Sequence, residues 1–87
     1  MTANTPESFL FYTRSHCPLC EEMLLEVSPI ARARGFALDI VDIDGDPALV
    51  ERYGHKVPVL VRPDDGEGYE VCHFYLDEEA LLEALED

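Results

Sequence analysis

Positive charge is scarce in this chain. Lys and Arg number 6 against 19 Asp and Glu, giving a formal net charge of −13 over 87 residues. Nucleic acid and anionic membrane surfaces are poor partners for such a balance. Long apolar runs are missing too, and none approaches the roughly 18 residues of a membrane span. The opening Met-Thr-Ala-Asn-Thr-Pro-Glu has neither the basic nor the apolar stretch of a secretory signal, so a cytoplasmic location is expected. Cysteine is sparse. Three residues, unevenly spaced, cannot build a disulfide framework.

Against these absences stands an ordinary globular composition, with 47% hydrophobic residues. A chain of this length buries about 60% of its unfolded surface around one core. A single domain over residues 1–87 is expected, with 1–7 a frayed lead-in and the protein a monomer. Phe9 to Thr13 is a continuous apolar run that suits a central strand. An amphipathic helix follows from about Cys17 to Ala33, with Met23, Leu24, Val27, Ile30 and Ala31 facing inward and Gly35 ending it. Pro29 falls inside that helix and predicts a kink or break near Leu25 to Ser28.

Phe36 to Asp44 reads as a second strand. A short helix then starts at Asp46-Pro47 and stops at Gly54. Lys56 to Arg62 and Tyr69 to Tyr75 read as two strands joined by a hairpin loop at Asp64 to Gly68. Asp77 caps a last helix carrying Ala80, Leu81, Ala84 and Leu85 inward. The order is β-α-β-α-β-β-α. The first two strands must be parallel and the last two antiparallel, giving an α/β fold with a four-stranded mixed sheet flanked by helices.

The chemistry concentrates at Cys17-Pro18-Leu19-Cys20. With Cys17 at the helix cap, Pro18 takes the first helical position, where its missing N–H costs nothing. The helix start offers free amides and the positive end of the dipole, both favouring a thiolate. Cys20 lies one turn on, within reach of a disulfide with Cys17. This is a dithiol redox site, with Cys17 the attacking sulfur and Cys20 the resolving one. Arg14, His16 and Lys56 supply positive charge, so a small basic island on an acidic protein is expected around Cys17.

The C-P-x-C at a helix start, the element order, and Val57-Pro58 opening the third strand together resemble the glutaredoxin and thioredoxin superfamily. The chain is most similar to the small bacterial glutaredoxin-like proteins, over Phe9 to about Leu85. The resemblance implies a thiol–disulfide oxidoreductase acting on a disulfide-containing protein or a low-molecular-weight thiol. It needs no metal or organic cofactor, only an external reductant, either glutathione or a thioredoxin-type dithiol donor. It also implies that Pro58 is cis and that Val57-Pro58 pairs with the substrate's backbone. By the same resemblance Arg14 stands where the family's glutathione-binding basic residue lies, Lys56 stands where Thr is usual, and Asp77 meets an amino group. Read by itself, Arg14 is more readily solvated or paired with a surface acid than bound to substrate. The family's Gly-Gly before the last helix is replaced by Phe74-Tyr75-Leu76. Weak glutathione binding is therefore expected, with a dithiol donor serving better.

Two other readings are open. One is a thioredoxin-fold interaction module with an idle dithiol. The other is a metal-binding module using Cys17, Cys20, Cys72 and His73. Against the second, Cys72 and His73 are adjacent on a strand and point to opposite faces. Cys72 by itself reads as a small buried hydrophobe.

Overall fold

The computed structural model describes residues 8–63 and 68–86; the lead-in over 1–7 and the tip of the expected hairpin loop lie outside them. The elements are β1 (Ser8–Thr13), α1 (Pro18–Arg34), β2 (Ala37–Asp42), a 3₁₀ turn (Ile43–Gly45), α2 (Pro47–Tyr53), β3 (Val59–Arg62), β4 (Tyr69–His73) and α3 (Glu78–Glu86). One sheet has strand order β2-β1-β3-β4. β1 pairs parallel with β2 and antiparallel with β3, and β3 pairs antiparallel with β4. The expected element order, the parallel first pair and the antiparallel last pair are those observed.

Alternation along the two inner strands divides the core in two. Phe9, Phe11, Leu60 and Cys72 face α1 and α3, where they pack with Met23, Val27, Leu81 and Ala84. Val59 and Val61 face the other way and pack with Ile43 and Tyr53, flanked by Leu10, Tyr12 and Val57. A register shift between Leu60 and Val61 leaves Val71 as an extra residue in β4. That bulge is why Val71 and Cys72, though consecutive, both enter the α1/α3 core. Each fully buried Phe, Leu or Met contributes about 1.5–3 kcal/mol relative to exposure.

α1 begins where the sequence places it, but Pro29 does not break it. The helix runs without interruption to Arg34 and ends at Gly35, whose φ of 78° is the left-handed cap. The carbonyl that Pro29 leaves without an amide belongs to Leu25, a residue 76% exposed, so water can satisfy it. Ser28 Oγ donates to the Leu24 carbonyl at 2.7 Å, a further bond in the same turn.

Three element ends also differ from expectation. β3 starts at Val59 rather than Lys56, directly after the cis Val57–Pro58 bond. β4 stops at His73 because Phe74 adopts φ 66°. β2 stops at Asp42, whose side chain accepts from the Asp44 amide and opens the 3₁₀ turn. Gly54 does stop α2, yet its backbone is right-handed.

The register fixes which loops meet. Tyr12 sits opposite Val59, and Val59 opposite His73. The end of β1 with the start of α1, the cis-proline turn, and the β4–α3 connection therefore share one end of the sheet.

Candidate active site

Thr13 to His16 carries the chain from β1 to α1. His16 has φ 58° and is exposed; histidine tolerates this left-handed backbone better than most residues. The turn leaves Cys17 extended (φ −125°, ψ 97°) as the cap of α1, with Pro18 at the first helical position. Cys17 Sγ accepts the Cys20 amide at 3.2 Å. The Cys17 carbonyl accepts the Glu21 amide, the first bond of the helix.

The two cysteines are disulfide-bonded, with Cα atoms 5.2 Å apart. Their surroundings differ. Cys20 is 3% exposed and part of the buried interior, whereas Cys17 is half-buried at the helix tip. Of the pair, only Cys17 is open to an incoming sulfur.

Across the sheet end, Pro58 is fully buried and its carbonyl accepts the Phe74 amide at 2.9 Å. That bond ties the cis-proline turn to the start of the β4–α3 connection. Phe74 holds a left-handed backbone there at a cost of about 1–2 kcal/mol for a non-glycine residue. The missing glycines thus change the side chains of this connection, while its first residue keeps a conformation that glycine favours. Tyr75 follows, 67% exposed.

Arg14 and Lys56 do not form the expected basic island. Arg14 Nε and Nη2 both reach Asp44 Oδ1 at 2.8 Å, and Nη1 donates to the Gly54 carbonyl at 3.4 Å. This braces the loop before Cys17 against the 3₁₀ turn and the end of α2. Lys56 Nζ donates to Glu70 Oε1 at 2.6 Å. His73 Nδ1 lies 2.5 Å from the other Glu70 oxygen. Burial pushes the Glu70 carboxyl up, but hydrogen bonds from Lys56 and His73 outweigh it and hold the group below the usual range. Asp44 and Glu70 were missed by sequence reasoning. Neither has a local signal, because each meets its cation from 30 and 14 residues away respectively.

Asp77 serves its helix: Oδ1 accepts the Ala80 amide at 3.0 Å as the α3 cap. Cys72 is free and buried in the core. Burial pushes its thiol up, partly offset by a hydrogen bond that its sulfur accepts from the Asp77 backbone. His73 lies on the opposite face with Glu70, so Cys17, Cys20, Cys72 and His73 do not converge. Among the described residues no group of three or more His, Cys, Asp or Glu is placed to hold a metal ion. No helix among them is long and apolar enough to cross a membrane.

Residues 8–86 match the glutaredoxin-like domain family (DUF836). The chain belongs to that family. A Nitrosomonas europaea protein solved by NMR is 31% identical, with 97% of this chain and 96% of that one covered and a TM-score of 0.80. An X. campestris protein is 36% identical over 90% of this chain and 95% of its own, with a TM-score of 0.64. A thioredoxin variant from Halobacterium salinarum is 31% identical over 91% and 71% of the two chains, at 0.67. Two Treponema pallidum proteins named gamma-glutamyl phosphate reductase are 43% identical over 68 residues. The chain spans only 14% of the length of those curated relatives. This glutaredoxin-like chain therefore has a thioredoxin-type fold and a paired C-x-x-C at the start of its first helix, features that fit thiol–disulfide chemistry.

Proposed function

We propose that this glutaredoxin-like protein is a thiol–disulfide oxidoreductase that reduces disulfides through Cys17 and Cys20. The observation that carries this reading is the asymmetry of the pair. Cys17 is half-buried at a helix cap with its Sγ accepting the Cys20 amide, while its partner is buried one turn on. A sulfur in that place is favoured as thiolate by the helix end, and the thiolate is the nucleophile.

In the reduced protein the Cys17 thiolate attacks one sulfur of the substrate disulfide. The substrate S–S bond breaks, one substrate thiolate leaves, and a mixed disulfide with Cys17 forms. The Cys20 thiol then loses its proton and attacks Cys17 Sγ. The second substrate thiolate leaves, and the internal disulfide closes. Two electrons pass from the dithiol to the substrate, and the two substrate thiolates are protonated by the Cys20 proton and one from water. An external dithiol donor reverses the sequence on the protein. The substrate's chain lies along the backbone of Val57-Pro58, which faces the α1 start across the sheet end.

The test is turnover of a protein disulfide, such as insulin, with a small dithiol as reductant. Reduction by the native chain, a trapped mixed disulfide on Cys20→Ser and inactivity of Cys17→Ser are expected. A native chain no faster than the reductant alone contradicts the proposal and favours an interaction module.

A further inference from the structure

Two cations in the loops that flank the dithiol, Arg14 and Lys56, are each already held by a carboxylate. Arg14, in the loop that delivers Cys17, is bound by Asp44 through two nitrogens. Lys56, at the cis-proline turn, is bound by Glu70, which His73 also steadies. Each carboxylate comes from outside the loop it serves: Asp44 from the 3₁₀ turn after β2, Glu70 from β4. Exposed carboxylates lie at this end as well. Glu21 and Glu22 lie exposed in the first turns of α1, and Glu78 and Glu79 lie exposed at the start of α3. An anionic disulfide approaching Cys17 thus meets carboxylates and two neutralised cations.

We propose that Asp44 and Glu70 set the charge preference of the dithiol. By holding Arg14 and Lys56 they close the site to anionic small-molecule disulfides and reserve it for disulfides on neutral or basic protein segments. This inference rests on the oxidoreductase reading above. Asp44 and Glu70 are positioning residues: they touch neither sulfur and act through the cations they hold. The net charge of −13 acts in the same direction at long range. The two effects separate by salt, since the long-range field is screened beyond about 8–10 Å at 0.1–0.15 M ionic strength, while a contact pair is screened less.

The experiment compares two probes that share one disulfide chemistry and differ in charge. These are oxidised glutathione, which is anionic, and its carboxyl-esterified form, which lacks the carboxylates. Rates are measured with the full chain and a neutral-to-basic reductant at low and physiological salt. The native protein is expected to reduce the ester about ten-fold faster than the acid at low salt. Glu70→Gln and Asp44→Asn free one cation each, and each narrows that ratio by about three-fold. Combining Glu70→Gln with Lys56→Gln removes the freed cation again and returns the ratio to the native value. A merely structural role for Glu70 does not predict that return, because both changes disturb the same contact. Equal native rates on the two probes, or single variants that leave the ratio unmoved, overturn the inference while leaving the oxidoreductase reading intact. A native protein that reduces neither probe nor insulin overturns the oxidoreductase reading itself.

Discussion

Two helix starts lie at the same end of the sheet and use the same device for different ends. At α1 the cap atom is Cys17 Sγ, accepting the Cys20 amide at 3.2 Å. At α3 it is Asp77 Oδ1, accepting the Ala80 amide at 3.0 Å. Both caps satisfy an amide that the helix leaves unpaired, three residues on. The carboxylate is already charged and has no further chemistry to perform. A thiolate in the same place would be stabilised by that amide and, in the proposed function, goes on to form a bond. Position secures the helix in both cases; under the proposed function, the sulfur in the cap and the second sulfur at Cys20 are what make one start reactive.

The largest expected effect comes from removing that distinction. Cys17→Ser keeps a good capping group, so the fold should survive with stability within about 1 kcal/mol of native. Disulfide turnover should fall to the level of the reductant alone. Retained turnover in Cys17→Ser would erase the difference between the two caps. Next in size is the structural cap. Asp77→Ala should cost about 1 kcal/mol, lowering the melting temperature by about 4–8 °C in a domain of this size. Calorimetry checks this, and an unchanged melting temperature would show that α3 does not depend on its cap.

The smallest effect is a pH dependence centred on Glu70. Its folded pKa lies below the unfolded value, so Glu70 contributes stability at pH above the unfolded carboxylate range. That contribution is lost as pH falls through the lowered folded value. The acid limb of melting temperature against pH should therefore be shallower in Glu70→Gln than in the native protein. Identical acid limbs would mean that the Lys56–Glu70–His73 contact does not persist in solution.

Local signals were legible in the sequence, and long-range ones were not. The cap at Cys17, Pro18 behind it, Gly35 closing α1 and Asp77 opening α3 are all set by neighbours within four residues, and the structure places each as read. The strand directions followed because a helix joins the first two strands and a hairpin the last two, whereas the antiparallel pairing of β1 with β3 has no local mark in the sequence. Pro29 misled because the cost of proline inside a helix depends on where the orphaned carbonyl points, and here it belongs to an exposed residue. The basic island misled for a different reason. Arg14 reads as a residue that could pair with a surface acid, but neither it nor Lys56 carries a local mark of which partner it meets, since Asp44 and Glu70 arrive only when β2 and β4 are laid into the sheet. The left-handed Phe74 was likewise invisible, since an aromatic residue gives no hint of a backbone that glycine prefers.

The central claim is that the cap position makes Cys17 the reactive sulfur. Its most direct test is competitive alkylation of the fully reduced native protein at mildly acidic pH, with the labelled cysteine located by peptide mass. Cys17 should be modified first, Cys20 well behind it because it is buried in the helix, and Cys72 only once the protein unfolds. Labelling of Cys20 or Cys72 ahead of Cys17 would contradict the account.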